Sequence, residues 1–189
     1  MINMLRQLIR ETIERRKFYV LVGPPGIGKG WWIRNNVPNA YIISRDNIVD
    51  DVRAPHGLKY NDLFGSGPGA HLNKQIAKIF QSRVQGAAES GQDIVVDMTN
   101  MSAAARSRAF AAIRGHEDEF EKIAVCFDFV GREAQVIASV EKRAEELGDK
   151  HIPRDVMQNM FDNFEMPTHD EGFDKIITVD PTETLTRPE

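Results

Sequence analysis

Short, unbroken apolar runs recur along the chain: FYVLV at 18–22, AYIIS at 40–44, DIVVD at 93–97, IAVCFDF at 123–129 and KIITV at 175–179. Runs this short, without polar alternation, predict strands buried on both faces. Between them lie stretches of helical periodicity: a helix from Lys29, one near Asn47, AHLNKQIAKIFQSRVQGAAES, SAAARSRAFAAIR and EAQVIASVEKRAEEL. Strands alternating with helices predict an α/β fold with a mostly parallel central sheet and helices on both faces, joined by right-handed crossovers. Met4, Leu5, Leu8, Ile9 and Ile13 recur at helical spacing in Met1–Lys17, which ends in RRK and reads as an amphipathic N-terminal helix. The glycines and prolines of residues 53–69 predict a mobile surface loop.

A chain of 189 residues, 41% hydrophobic and 28% charged, is sized for one domain, here residues 18–180, with 1–17 as a helix before it and 181–189 as a tail. No apolar run reaches the length of a membrane span and the N-terminal segment is broken by charge, so the expectation is a cytoplasmic protein with no membrane partner. The lone cysteine, Cys126, sits in an apolar run and is expected to be buried in a strand. His56, His71, His116 and His169 lack ligand-like spacing and are expected on the surface. A net charge of −4 argues against sequence-blind coating of nucleic acid but leaves room for a small basic pocket.

The loop GPPGIGKG, Gly23–Gly30, fits the phosphate-binding pattern G-x-x-x-x-G-K and lies between a predicted strand and a predicted helix. Its glycines allow backbone N–H groups to turn toward a polyphosphate, the helix N-terminus adds partial positive charge, and Lys29 adds a full one. The candidate nucleotide-binding set is Gly23, Pro24, Pro25, Gly26, Ile27, Gly28, Lys29, Gly30 and Trp31. Gly30 stands where a Ser or Thr hydroxyl would reach Mg2+, a loss that weakens such a site more readily than it abolishes it, because water can take the position.

Asp46 follows the second predicted strand, with Arg45 beside it. Two readings fit: a base accepting the proton of an attacking hydroxyl, or a helix cap, a role Ser44 could also fill. The third strand ends in Asp97, followed by Thr99 and Asn100. A carboxylate at the end of a buried strand points to function, here holding Mg2+ through water, whereas Thr99 or Asn100 could simply cap the next helix. Lys142, Arg143, Lys150, His151 and Arg154 form either a cationic lid over phosphates or, interleaved with Glu141, Glu145 and Glu146, a solvated helix face.

Taken together, GPPGIGKGWWIR, IISRDN, DMTN, FDF and KRAEELGDKHIPRDVMQNMF resemble the P-loop 5′-hydroxyl polynucleotide kinases of bacteriophage type, collinearly over most of residues 18–165. The resemblance implies a P-loop kinase-like fold with a helical lid and ATP and Mg2+ as cofactors. Its catalytic residues would be Lys29, Asp46 and Arg143, with Asp97 as a metal residue acting through water and Asp46 as a second candidate. Arg45, Arg53, Asp97, Thr99 and Asn100 would serve the acceptor, a nucleic acid with a free hydroxyl. Val49 and Leu147 replace an acceptor-phosphate arginine and a second lid arginine of that family, and Arg53, one helical turn beyond Val49, is placed to substitute for the first. Three functions remain open: a kinase of a nucleic-acid 5′ end; a kinase of a modified DNA base, nucleoside or other small molecule; and a nucleotide-binding protein without catalysis.

Overall fold

The computed structural model describes residues 15–63, 66–148 and 150–182. The described strands are β1 (Arg16–Val22), β2 (Tyr41–Ile43), β3 (Ile94–Val96), β4 (Phe120–Phe127) and β5 (Lys175–Val179). They form one five-stranded sheet in the order β2-β3-β1-β4-β5, with every pairing parallel. The helices between them are α1 (Lys29–Asn36), α2 (Arg45–Arg53), α3 (Asn73–Gly86), α4 (Ala103–Ala109), α5 (Glu133–Leu147) and α6 (Arg154–Asp162).

Side-chain alternation along β1 explains why the sheet must be covered twice. Phe18, Val20 and Val22 enter one core with Ile43, Val96, Phe120 and Phe173, onto which Phe80 and Val84 of α3 and Phe110 pack. Tyr19 and Leu21 enter the other with Val125, Phe127, Trp32 and Ile33 of α1, Val136 and Val140 of α5, and Met157 of α6. A third cluster joins α2 to α3 away from the sheet, through Ile48, Val49, Val52, Leu63, Leu72 and Ile76. β1, central and almost wholly buried, delivers its carboxyl end into the Gly23–Gly30 loop. Cys126 is buried in β4, as its apolar run predicts.

Two expectations are corrected. Arg16 and Lys17 belong to β1, not to a helix: the Lys17 N–H donates to Asp93 Oδ1 at 2.7 Å, and the Arg16 guanidinium lies 4.3 Å from the centre of the Phe120 ring. The remainder of the expected N-terminal helix, 1–14, lies outside the described residues, as does most of the 181–189 tail. The described part of 53–69 is packed, with short helical turns at Ala54–His56 and Tyr60–Leu63 and a fully buried Leu63. A Cβ at Gly69 would meet Leu58 at 2.7 Å and Leu63 at 2.9 Å, so the glycine there allows close approach within a folded segment.

Candidate active site

At the carboxyl ends of the strands, where open parallel sheets carry their chemistry, lies a cleft of about 460 Å³. It is bordered by the Gly23–Gly30 loop, the first turns of α1 and α2, Asp97, and Arg143 and Lys150 from the α5 side. The loop needs its glycines for different reasons. Gly28, at φ 96, caps α1 in the left-handed region that L side chains rarely adopt. Gly26, at φ 75, lies so close to α5 that a Cβ would meet Val140 Cγ2 at 2.6 Å. Gly30 is different: it lies within the first turn of α1, and a Cβ there would find Arg34 at an ordinary 3.6 Å.

Lys29 Nζ donates to the carbonyls of Gly23 at 2.9 Å and Pro24 at 2.8 Å. Burial pushes its ammonium down to about 8; Asp97 and Asp46 oppose that shift and Arg143 adds to it. Burial likewise raises the Asp97 carboxyl, against the pull of Lys29 and with the help of Asp46. Lys29, Asp46, Asp97 and Arg143 therefore share one electrostatic neighbourhood, although three different strand ends and α5 deliver them.

Helix α2 sets the other wall. Ser44 caps it, its hydroxyl accepting from Asn47 N at 3.4 Å, and so Asp46 is not needed as the cap. Asp46 Oδ1 instead accepts a hydrogen bond from the Tyr60 hydroxyl at 2.8 Å. One turn on, Asp50 accepts from Arg53 Nε at 2.7 Å and from Lys150 Nζ at 2.6 Å, and these two cations hold its carboxyl below the usual range against the opposing effect of burial. Val49 is buried between α2 and α3, whereas Arg53 lines the cleft together with Asp46, Asn47 and Asp50 of the same helix.

Other candidates lie elsewhere. Asn100, with φ 46 and 2% exposure, turns inward and donates to the Leu21 carbonyl at 2.8 Å, tying the ends of β1 and β3 together. That burial withdraws it from contact with a substrate, and the cap of α4 is Ser102, neither Thr99 nor Asn100. The Thr99 carbonyl accepts from Gly23 N at 2.9 Å and so anchors the loop. Arg45 is exposed and outside the cleft lining, Ile27 is core, and Trp31 packs partly against the core on the α1 side. The lid cations divide: Arg143 and Lys150 face the cleft, whereas Lys142 pairs with Glu146 and Arg154 with Glu141 on the solvated face. Sequence reasoning missed Asp50 and Tyr60. The only local signal for Asp50 was its place one turn after Asp46; Tyr60 gave none.

Among the described residues no group of three or more His, Cys, Asp or Glu side chains converges as a metal cage. The hard oxygen donors at the cleft, Asp46 and Asp97, suit Mg2+ held mainly by phosphates and water. No helix among the described residues is long and apolar enough to cross a membrane.

Similar folds are known. A Chloroflexus aurantiacus protein provisionally assigned as a kinase superposes with a TM-score of 0.62 at 12% identity, over 93% of this chain and 91% of that one. A chain of the PezAT chromosomal toxin-antitoxin system of Streptococcus pneumoniae gives a TM-score of 0.55 at 14% identity, over 97% and 75%. A gluconokinase from Sinorhizobium meliloti 1021 gives 0.47 at 18% identity, over 92% and 86%. At these identities the first two likenesses concern the fold. The sequence family described as an AAA domain matches residues 18–167, which span the sheet up to β4, the Gly23–Gly30 loop, α5 and α6. The chain belongs to that family.

Proposed function

We propose that the protein transfers the γ-phosphoryl group of ATP to a hydroxyl of a compact polar acceptor: a nucleoside or another small molecule. The observation that supports this acceptor class is the charge balance on the α2 side of the cleft. There Asp50 engages both Arg53 and Lys150, and Asp46 adds a second carboxylate. A polynucleotide backbone is held chiefly by cations that neutralise its phosphates, and the acceptor-side cations here are already matched to carboxylate.

The chain's own residues divide the work. The loop N–H groups and the α1 N-terminus receive the phosphates. Lys29, turning from the Gly23 and Pro24 carbonyls, neutralises the transferring group, and Arg143 adds charge from the lid. Asp46 receives the acceptor proton and orients the hydroxyl for in-line attack. Asp97 and Asp46 are the residues that would hold Mg2+, which when bound neutralises phosphate oxygens.

A second reading, transfer to a 5′-hydroxyl end of DNA or RNA, draws support from the collinear motifs, whose Lys29, Asp46, Asp97 and Arg143 all line the cleft. The test is transfer of radiolabelled γ-phosphate to free nucleosides, polyols, hydroxymethylated DNA and 5′-hydroxyl oligonucleotides side by side. Label on small acceptors supports the first reading, label confined to oligonucleotide 5′ ends replaces it with the second, label confined to hydroxymethylated DNA replaces it with a kinase of a modified DNA base, and no label on any acceptor despite ATP binding favours a non-catalytic protein.

A further inference from the structure

Resting on the phosphoryl-transfer reading, we infer that Tyr60 is the residue that discriminates the acceptor against water, by occupying Asp46 until an acceptor hydroxyl displaces it. Tyr60 donates its O–H to Asp46 Oδ1 at 2.8 Å, the hydrogen bond an acceptor must itself make to be activated. The phenol is held in place from two sides. Lys150 Nζ lies 4.9 Å from the centre of its ring while bridging to Asp50 at 2.6 Å. Tyr60 also packs against the α2–α3 cluster beside Leu58, whose carbonyl accepts from Arg53 at 3.0 Å. The tyrosine thus belongs to a fastened segment, and fastening is what lets one hydroxyl compete with bulk water for a carboxylate.

The chemistry makes this occupancy useful. In transfer, the acceptor oxygen bonds to the γ-phosphorus, the bond from that phosphorus to the diphosphate's bridging oxygen breaks with its electron pair leaving on the diphosphate, and the acceptor proton passes to Asp46. Water in the acceptor's place balances equally well and yields inorganic phosphate, so a base left open to solvent would hydrolyse the donor. With Tyr60 on Oδ1, water meets that oxygen of the base already hydrogen-bonded. An acceptor held by further contacts can displace the phenol.

The experiment measures acceptor-free hydrolysis of ATP with Mg2+ in the parent and in Tyr60→Phe, which keeps the ring under Lys150 and removes the hydroxyl. Hydrolysis is expected to rise about tenfold, the worth of one hydrogen bond to a charged group, with ATP affinity unchanged and melting temperature lowered by about a few degrees at most. Lys150→Ala, which unfastens the ring, is expected to move hydrolysis in the same direction. Damaged packing lowers a rate, so a gain separates this role from a structural one. Hydrolysis at or below the parent rate in Tyr60→Phe overturns the inference and leaves Tyr60 as a fixed partner that orients Asp46. A parent protein that ATP fails to stabilise against melting sinks the kinase reading itself, whereas an ATP-stabilised parent with unmoved Tyr60→Phe hydrolysis sinks only the role of Tyr60.

Discussion

Gly26 of the phosphate loop and Val140 of α5 are in such close contact that a Cβ on the glycine would lie 2.6 Å from Val140 Cγ2. The Gly23–Gly30 loop and the helix that carries Arg143 are therefore packed against each other. Gly26→Ala meets two obstacles, the clash and a φ of 75, and is expected to cost about 2–4 kcal/mol in urea unfolding. Val140→Ala in the same chain relieves the clash and leaves the φ strain. The double mutant should therefore be about 1 kcal/mol more stable than the sum of the single effects predicts. Strict additivity would mean that the loop and α5 are not in contact in solution.

On the proposed function, Lys29 is expected to make nucleotide binding pH-dependent. Burial holds its ammonium down to about 8, and phosphates arriving beside it favour the charged form. Below that pH the lysine is protonated with or without nucleotide. Above it the free protein's lysine is neutral and binding must take up a proton, so ATP affinity should fall as pH rises through about 8, by up to about tenfold per pH unit. Calorimetry in two buffers of different ionisation enthalpy reads the proton directly; no uptake at about pH 9 contradicts the shift. Lys29→Ala should bind ATP weakly, abolish transfer and lose this linkage together.

Local signals made the framework legible in the sequence. The phosphate loop is a contiguous pattern flanked by a strand and a helix, and α5 and β5 run over the residues their periodicity and apolar run mark out. What escaped depends on distant partners or on backbone geometry. Lys150 and Asp50 are 100 residues apart, so nothing local announces their ion pair, and Tyr60 sits in a glycine-rich stretch whose packing only Leu63 and Gly69 reveal. Asn100 carries the chemistry of a substrate ligand, but a left-handed φ turns it into the interior. The β1 start was obscured because basic residues suit a helix C-terminus as well as a strand end resting on Phe120 and Glu119.

Gly30 has room for the hydroxyl its position lacks. The nearest atom to a Cβ there, outside the helix's own backbone, is Arg34 Nη1 at 3.6 Å, and its φ lies outside the left-handed region. Gly30→Ser should fold, gain about 0.5 kcal/mol or less from helix propensity, and lower the Mg2+ concentration needed for half-maximal transfer. An unchanged Mg2+ titration would show that the metal is held without help from this position.

Arg106 is fully buried and binds Glu171 through two hydrogen bonds of 2.7 and 2.8 Å while also serving the carbonyls of Asn100 and Glu165. Arg106→Met strands a carboxylate and two acceptors, and is expected to destabilise by about 3–5 kcal/mol. The arginine holds the Glu171 carboxyl below its ordinary 4.5, outweighing the effect of burial, so the pair's stabilisation is present above that value and is lost as pH falls through the lowered one. Stability followed from neutral pH into that acidic range should show this component in the parent and not in the variant.

Asp46→Asn separates a base from a structural carboxylate. Ser44 already caps α2, and asparagine can accept the Tyr60 hydrogen bond through its amide oxygen, so the fold should hold and ATP should still bind. What asparagine cannot do is take the acceptor's proton. The transfer rate should fall by about two to four powers of ten, the usual contribution of a positioned general base. Melting temperature and nucleotide affinity, measured on the same preparation, distinguish lost chemistry from lost structure. Lys29 and Asp97 are both coupled to this carboxylate, so its neutralisation removes a charge that supports the Lys29 ammonium, and the pH above which ATP binding takes up a proton should move down with it. A variant that transfers at close to the parent rate while that proton uptake moves would show Asp46 to be an electrostatic neighbour of the phosphate site, with the acceptor proton leaving by another route.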